Sequence, residues 1–229
     1  MKRLLNYFTK FEIGLWLSSV VVIVATFIIF KDKDYLTLCA SIIGATFLIL
    51  NAKGNPLGQF LTIVFSIFYG FISYRFSYYG EMVTYLFMSL PMALVALVSW
   101  LKNPYKGNKS QVKVNRITKK ETTFMCFLTF VVTIAFYFIL KHFNTSNLIP
   151  STLSVTTSFI AVYLTFRRSP YFALAYAMND LVLIVLWVLA SITDVSYLSV
   201  VICFIVFFVN DMYGFINWKK MEKNQKLNM

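Results

Sequence analysis

The chain has 229 residues, of which 59% are hydrophobic and 18% aromatic but only 13% charged, and its mean hydropathy is +0.72. A soluble domain needs roughly twice that charged fraction to cover its surface, so this composition excludes a soluble enzyme or binding domain and indicates a membrane protein. At about 20 residues per span, the length allows at most about nine membrane helices and leaves no room for a separate soluble domain.

Hydrophobic runs divide the chain into eight predicted transmembrane helices, so the predicted fold class is an all-α integral membrane protein. In chain order the predicted helices are Phe11–Phe30, Tyr35–Ala52, Leu57–Ser73, Met82–Leu101, Thr122–Leu140, Leu148–Phe166, Pro170–Ile192 and Val195–Trp218. The first run lacks a small-residue cleavage site and is predicted to be a retained helix, not a signal peptide. Pro91 lies inside the fourth helix, where we expect it to produce a kink.

Basic residues account for the net charge of +12 and indicate how the helices are oriented. With eight spans, 17 of the 21 Lys and Arg residues fall on the side that carries both termini. They are Lys2, Arg3, Lys10, Lys53, Lys102, Lys106, Lys109, Lys113, Arg116, Lys119, Lys120, Arg167, Arg168, Lys219, Lys220, Lys223 and Lys226. The opposite side holds Lys31, Lys33, Arg75 and Lys141. Because Lys and Arg accumulate in cytoplasmic loops, we predict a multi-pass protein of the bacterial cytoplasmic membrane with both termini inside. Since these charges lie between apolar runs, lipid head groups, and not nucleic acid, are their expected partners.

Two stretches of the sequence resemble each other and predict an internal repeat. LNAKGNP at Leu50–Pro56 corresponds to LTFRRSP at Leu164–Pro170, and each is followed by helices that end in Trp100 or Trp218. We predict two parallel three-helix repeats, a plan that some transporters build around a binding site between the repeats. The predicted units are an N-terminal tail and extra helix at 1–34, repeat one at 35–101, a basic loop and linker helix at 102–147, repeat two at 148–218 and a basic tail at 219–229.

Polar side chains inside the predicted helices mark a candidate binding site. On helix 3 they recur every three or four residues, so they share one face that is expected to point into the bundle. The candidates are Gln59, Thr62, Ser66 and Tyr69 on helix 3, Tyr176, Asn179, Asp180 and Trp187 on helix 7, and Asn210 and Tyr213 on helix 8. Asp180 is near mid-membrane, where a carboxylate is costly, so we expect it to have either a function or a close hydrogen-bonding partner. Asp211 lies nearer the predicted cytoplasmic end and could instead reach Lys219.

The sequence carries no signature of catalysis or of a bound metal. It lacks the GxxxxGK[ST] loop of ATPases, and no nucleophile–base pair or Cys/His spacing typical of a metal site occurs in the helices. We therefore predict a protein that is not an enzyme and that has no cofactor or metal. Cys39, Cys126 and Cys203 are expected to serve packing, as are the small residues between Ser151 and Ser158.

Several short segments resemble the PnuC family of vitamin transporters. They are AKGNP at Ala52–Pro56, SYYGEM at Ser77–Met82, Pro91-Met92, Arg167-Arg168 and NDMYGFINW at Asn210–Trp218. The resemblance extends over roughly residues 35–218. It implies a SWEET-like pair of three-helix bundles around a central site, and facilitated diffusion of nicotinamide riboside that a cytosolic kinase then traps. It also implies that Asn210 and Tyr213 form the substrate-binding Asn-x-x-Tyr of the family.

The chain departs from the family pattern at two places, and this leaves alternative substrates open. Ala173 and Tyr176 stand where the family commonly has Trp-x-x-Trp, and Tyr85 stands where an Asn is common. Nicotinamide riboside, a flat pyridinium cation joined to ribose, suits the aromatic and amide candidates, and Asp180 could neutralise its charge. Thiamine or riboflavin transport is the first alternative, and a membrane sensor that binds its ligand without moving it is the second. The sequence does not predict an oligomeric state.

Overall fold

The computed structural model describes residues 7–30, 34–75, 79–145, 147–192 and 195–228. Lys2, Arg3, Lys31, Lys33 and the first two residues of the SYYGEM segment lie outside these ranges. Within them, eight helices are long and apolar enough to cross a membrane, which confirms the predicted all-α membrane architecture. They are α1 Lys10–Ile29, α2 Tyr35–Ala52, α3 Pro56–Arg75, α4 Tyr79–Leu101, α5 Lys119–His142, α6 Leu148–Phe166, α7 Phe172–Ser191 and α8 Leu198–Leu227.

The helices enclose a central space. Helices α2, α3, α4, α6, α7 and α8 pack against one another in that order and close into a ring, because α8 also packs against α2. Outside the ring, α1 packs against α2 and α8, and α5 packs against α6. Because the number of spans is even, both described chain ends, Tyr7 and Asn228, lie on the same face of the bundle. We call this the terminal face.

The turns between α2 and α3 and between α6 and α7 have the same local structure. Gly54 and Arg168 occupy equivalent positions with φ of +67° and +56°. Their backbone N–H groups donate to Asn51 and Thr165 at 2.9 Å, so both helices end in a left-handed cap. Glycine adopts this conformation without strain, whereas Arg168 adopts it at a cost.

Helices α1 and α5 also begin alike. The Thr9 side chain accepts a hydrogen bond from the backbone N–H of Glu12, and the Thr118 side chain accepts one from Glu121. Each threonine thus satisfies a backbone donor that the helix leaves free, and each acidic residue favours the positive end of the helix dipole.

Helix α4 is interrupted where the sequence predicts a kink. Residues Tyr85–Ser89 form a π-helical turn, and the N–H of Leu90 donates to the Tyr85 carbonyl. Pro91 follows directly and has no N–H to donate. The regular α-helical hydrogen bonds are therefore interrupted both by the π-turn and by the proline. Such π-turns are frequent at functional sites because they reorient side chains.

A strap crosses the terminal face in the segment that was predicted to be a basic loop. We use this name for residues 103–117, which include the antiparallel strands Pro104–Tyr105 and Asn108–Val112. The Val112 N–H donates to the Gly54 carbonyl at 2.9 Å, and the Asn115 N–H donates to the Arg168 carbonyl at 3.0 Å. The strap therefore binds the two equivalent turns of the bundle.

Helix α8 continues to Leu227, whereas the sequence predicts a helix that ends at Trp218 and a basic tail. The additional turns are polar and hold the strap. Gln225 donates to the Val112 carbonyl at 3.0 Å and accepts from the Val114 N–H at 2.8 Å. Since these bonds join the extension to the strap, the extension is part of the folded bundle. Of the three cysteines, Cys203 is buried as expected, but Cys39 and Cys126 are exposed on the outside of the bundle.

Candidate functional site

A cavity lies inside the ring, lined by all six of its helices. The space open to the centres of water molecules is about 100 Å³, which is room for several waters. It extends from Asn51 and Phe172 near the terminal face to Gly80, Leu140 and Thr145 near the opposite ends of α4 and α5.

The cavity is acidic. Glu81, Asp180 and Asp211 line it, and none of its described lining residues is Lys, Arg or His. Asp180 and Asp211 are each only 5% exposed, and their carboxyl groups lie close to each other. Asp180 Oδ2 receives no hydrogen bond from a donor among the described residues. Because charges interact strongly in a poorly solvated cavity, this arrangement attracts a cation and repels an anion.

Aromatic rings form much of the remaining wall. The lining contains Phe47, Phe65, Tyr85, Phe172, Tyr176, Phe204 and Phe207. Tyr85 lies on the π-turn, with its ring centroid 6.1 Å from that of Phe65. Aromatic faces beside carboxylates are the surroundings in which a flat organic cation is stabilised.

Half of the residues predicted from sequence meet in this cavity. Thr62, Ser66, Tyr176, Asn179 and Asp180 all line it. Thr157 and Ser158 donate to Asn179 Oδ1 at 2.8 and 3.0 Å and so fix its amide against α6. These five residues come from α3 and α7, which occupy facing positions in the ring.

Gln59, Tyr69 and Trp187 lie behind the cavity wall. Gln59 is buried and donates to Asn51 Oδ1 at 2.9 Å, so it supports a lining residue. Tyr69 and Trp187 belong to the apolar core between the helices, where the Tyr69 ring lies 4.6 Å from that of Tyr85. Direct contact of these three side chains with a ligand stays a prediction.

Asn210 and Tyr213 face α1 and not the cavity. Asn210 donates to Ser19 Oγ at 2.9 Å, and Tyr213 donates to Glu12 Oε1 at 2.8 Å. Their neighbour Asp211 occupies the position on α8 that lines the cavity. The binding role implied for the Asn-x-x-Tyr pair stays a prediction, and the contacts of the pair attach α1 to α8.

Glu81, Tyr85 and Asn51 line the cavity but were not among the residues predicted from the sequence. Glu81 is an acidic residue in the first turn of an apolar helix, which was a usable signal because such positions are costly to charge. Ser151, Ser154 and Ser158, which were assigned to packing, also line the cavity. No periodic pattern in the sequence singles out Asn51 or Tyr85.

Two tryptophans close the cavity toward the terminal face. Trp100 donates its indole N–H to the Thr165 carbonyl at 2.9 Å, and Trp218 donates its indole N–H to the Asn51 carbonyl at 2.7 Å. Both rings are fully buried and contact Phe172, which lines the cavity. The tryptophans therefore separate the cavity from the strap.

Comparison with known proteins finds transporters, both by sequence and by structure. Residues 34–220 match the nicotinamide mononucleotide transporter family. The nicotinamide riboside transporter PnuC of Neisseria mucosa is 25% identical over 227 residues, which cover 97% of this chain and 86% of that protein. The nicotinamide riboside transporter PnuC of Haemophilus influenzae is 23% identical over 215 residues, which cover 93% of this chain and 91% of that protein.

A solved structure has the same fold. The crystal structure of the vitamin B3 transporter PnuC superimposes with a TM-score of 0.81 at 23% identity, covering 95% of this chain and 94% of that one. The resemblance that the sequence motifs indicate is thereby confirmed across nearly the full length. With a family match over residues 34–220 and eight spans, this chain belongs to the nicotinamide mononucleotide transporter family.

Proposed function

We propose that this protein transports nicotinamide riboside across the bacterial cytoplasmic membrane. The acidic and aromatic cavity is the observation that carries this proposal, because it suits a flat pyridinium cation. The names of the two relatives point to the same substrate.

The charge of the cavity favours the riboside over the mononucleotide of the family name. Nicotinamide riboside carries one positive charge, whereas a phosphate adds about −1.5 to −2 and makes the mononucleotide an anion. Three carboxyl groups and no basic side chain among the described lining residues disfavour that phosphate. A riboside that is phosphorylated after entry could not return through such a cavity, which supports trapping by a cytosolic kinase.

We assign roles within the cavity by chemistry. Asp180 and Asp211 lie beside the pyridinium, and the faces of Tyr85 and Tyr176 stack against it. Asn179, Thr62 and Ser66 hydrogen bond to the carboxamide and the ribose hydroxyls. Gln59, Tyr69, Trp187, Asn210 and Tyr213 support these side chains from behind.

The two halves of the chain are proposed to be parallel repeats around this site. The equivalent turns at Gly54 and Arg168 and the reciprocal tryptophan bonds support the three-helix units at 35–101 and 148–218. The likeness extends to α1 and α5, because Glu12 pairs with Lys53 as Glu121 pairs with Arg167. On this basis α1 and α5 occupy equivalent positions before the two three-helix units.

We propose that the terminal face is cytoplasmic, since it carries most of the basic residues. Transport then requires the tryptophans and the strap to part and release the solute inside. The sequence contains no nucleotide-binding loop, so we propose facilitated diffusion driven by the substrate gradient.

The test is uptake of labelled nicotinamide riboside into proteoliposomes that contain only this protein. We expect saturable uptake that unlabelled riboside competes and that nicotinamide mononucleotide does not. Equal competition by the mononucleotide would contradict the charge argument. Uptake of thiamine or riboflavin in place of the riboside would change the substrate, and binding without any uptake would favour a sensor.

A further inference from the structure

The two halves of the ring meet at two seams, where α2 packs against α8 and α4 packs against α6. The outer helices α1 and α5 cover these two seams unequally. Helix α1 packs against both helices of one seam, α2 and α8. Helix α5 packs against α6 and against the Tyr79–Thr84 part of α4, at the end away from the terminal face. As a result, an open groove lies between α4 and α6 at the terminal-face end of this seam.

The groove has an apolar wall and a basic end. Leu94, Val95 and Val98 of α4 form the wall together with Phe166 of α6, and the three α4 side chains are nearly half exposed. The basic end consists of Lys102, Arg167 and Arg168. The groove has a volume of about 480 Å³.

The positive charge of the groove is only partly compensated. Arg167 pairs with Glu121, but Lys102 forms no ion pair with any residue that the structure describes. Arg168 donates to neutral acceptors, Ser99 Oγ at 2.7 Å and the Lys113 carbonyl at 3.2 Å. Three basic side chains and one acidic partner leave a net charge of +2. Burial lowers the pKa of Arg168, and the adjacent charge of Arg167 lowers it further, as expected for a cation without an anion.

We propose that this groove binds one anionic phospholipid, with its phosphate at Lys102 and Arg168 and an acyl chain along Leu94, Val95 and Val98. Basic pockets between transmembrane helices on the cytoplasmic side take such head groups. A free phosphate would use the basic end alone and leave the apolar wall uncovered. A phospholipid satisfies both parts, because the wall runs along the helices from the polar end into the apolar part of the bundle. The proposal does not depend on which solute the cavity carries.

The experiment is a titration of delipidated, purified protein in detergent with dioleoylphosphatidylglycerol or dioleoylphosphatidylcholine, with bound lipid counted by native mass spectrometry. We expect preferential retention of one phosphatidylglycerol. Lys102→Gln should weaken its affinity about fivefold, which corresponds to roughly 1 kcal/mol per basic side chain near a lipid head group. Lys109→Gln is the matched control, because it removes the same charge from the exposed hairpin of the strap and should leave the affinity unchanged.

A second variant tests the apolar wall separately. Val98→Trp fills the groove at a half-exposed position, and it should abolish retention of phosphatidylglycerol without lowering the melting temperature of the lipid-free protein. Equal retention of the two lipids would overturn the proposal, as would equal losses in Lys102→Gln and Lys109→Gln. Displacement of the lipid by soluble glycerol phosphate at the same concentration would also overturn the proposal, because the acyl chain would then contribute nothing to the affinity. Nicotinamide riboside plays no part in these measurements, so failure of the proposed transport function leaves their result intact.

Discussion

The ring centroids of Trp100 and Trp218 lie 5.4 Å apart, and each indole donates to a carbonyl in the opposite half of the chain. Trp100 reaches the end of α6, and Trp218 reaches the end of α2. The two halves are therefore joined by reciprocal bonds at the level where Phe172 and Asn51 line the cavity. If solute leaves by the terminal face, these bonds must break first.

Asp180→Asn should raise the KM for nicotinamide riboside uptake at least about tenfold, because the carboxylate that attracts the pyridinium charge becomes a neutral amide, and a loss of about 1.4 kcal/mol is tenfold. The side chain keeps its size, so the melting temperature should change little. The measurement is the concentration dependence of uptake into proteoliposomes.

Asp34→Asn is the control for that variant. It removes the same charge outside the cavity, and the new Asn can cap helix α2 as Asp34 does. Its uptake kinetics should match those of the wild type. Uptake kinetics that are the same in the wild-type protein and in Asp180→Asn would rule out a role of this carboxylate in recognition.

Glu12→Gln should destabilise the protein far more than Glu121→Gln, although the two residues occupy equivalent positions. Glu12 is 2% exposed and binds Lys53, which is 16% exposed, whereas Arg167 beside Glu121 is 34% exposed. A buried cation left without its partner costs about 3–5 kcal/mol, and a more solvated one about 1 kcal/mol or less. Thermal unfolding in detergent measures both. The double variant Glu12→Gln with Lys53→Met should recover part of the loss, and equal melting temperatures for the single variants would contradict the prediction.

Gln225→Ala should loosen the strap, because it removes both hydrogen bonds that fix Val112 and Val114. Two such bonds correspond to about 1–3 kcal/mol, so local opening should increase about fivefold or more. Trypsin cleavage at Lys106 and Lys109, both exposed on the hairpin, measures this opening. Asn224→Ala, one residue away and exposed, should be cleaved like the wild type. A strap that is equally resistant in both variants would show that Gln225 does not hold it.

Glu222 makes the attachment of the strap depend on acid. This residue lies in the polar extension of α8 beyond Trp218, outside the membrane-spanning part, and it pairs with Arg116 of the strap and with Lys219. Burial alone would raise the pKa of Glu222, but hydrogen bonds and charges from Lys219 and Arg116 outweigh it and lower the pKa to about 2. Because the folded pKa is below the unfolded value of about 4.3, the stabilisation is complete above that value and is lost as the pH falls toward 2.

The difference in melting temperature between the wild type and Glu222→Gln reports this stabilisation. We expect the difference to be constant from about pH 5 to pH 8 and to shrink below about pH 4. A difference that changed between pH 5 and pH 8 would assign the effect to another group.

The sequence predicts the helices of this protein better than it predicts their contacts. The predicted bounds of α2 and α6 agree with the structure at both ends, and α4 ends at Leu101 as predicted. In a membrane each span must satisfy its own backbone groups, so apolar length alone determines a helix. The strap has no such signal, since backbone bonds to Gly54 and Arg168 hold it.

The candidate site shows the same division. The regular spacing on α3 predicted one face that points into the bundle, and Thr62 and Ser66 of that face line the cavity together with Tyr176 and Asp180 of α7. On α8, adjacent residues point about 100° apart, so the difference between Asn210 and Asp211 depends on how the helix is rotated against α1. That rotation follows from the contacts of Asn210 with Ser19 and of Tyr213 with Glu12, which are far apart in sequence.

By itself, the sequence determined that this protein is a bundle of eight membrane helices with polar side chains inside and related turns in its two halves. These properties depend on local composition and spacing, which the lipid environment translates directly into helices. Only the tertiary structure decided the order of the ring, the acidic group of Glu81, Asp180 and Asp211, and the closure by Trp100 and Trp218. Each of these depends on which faces of distant helices meet, and lipid, which is as apolar as most of the side chains, does not select those faces.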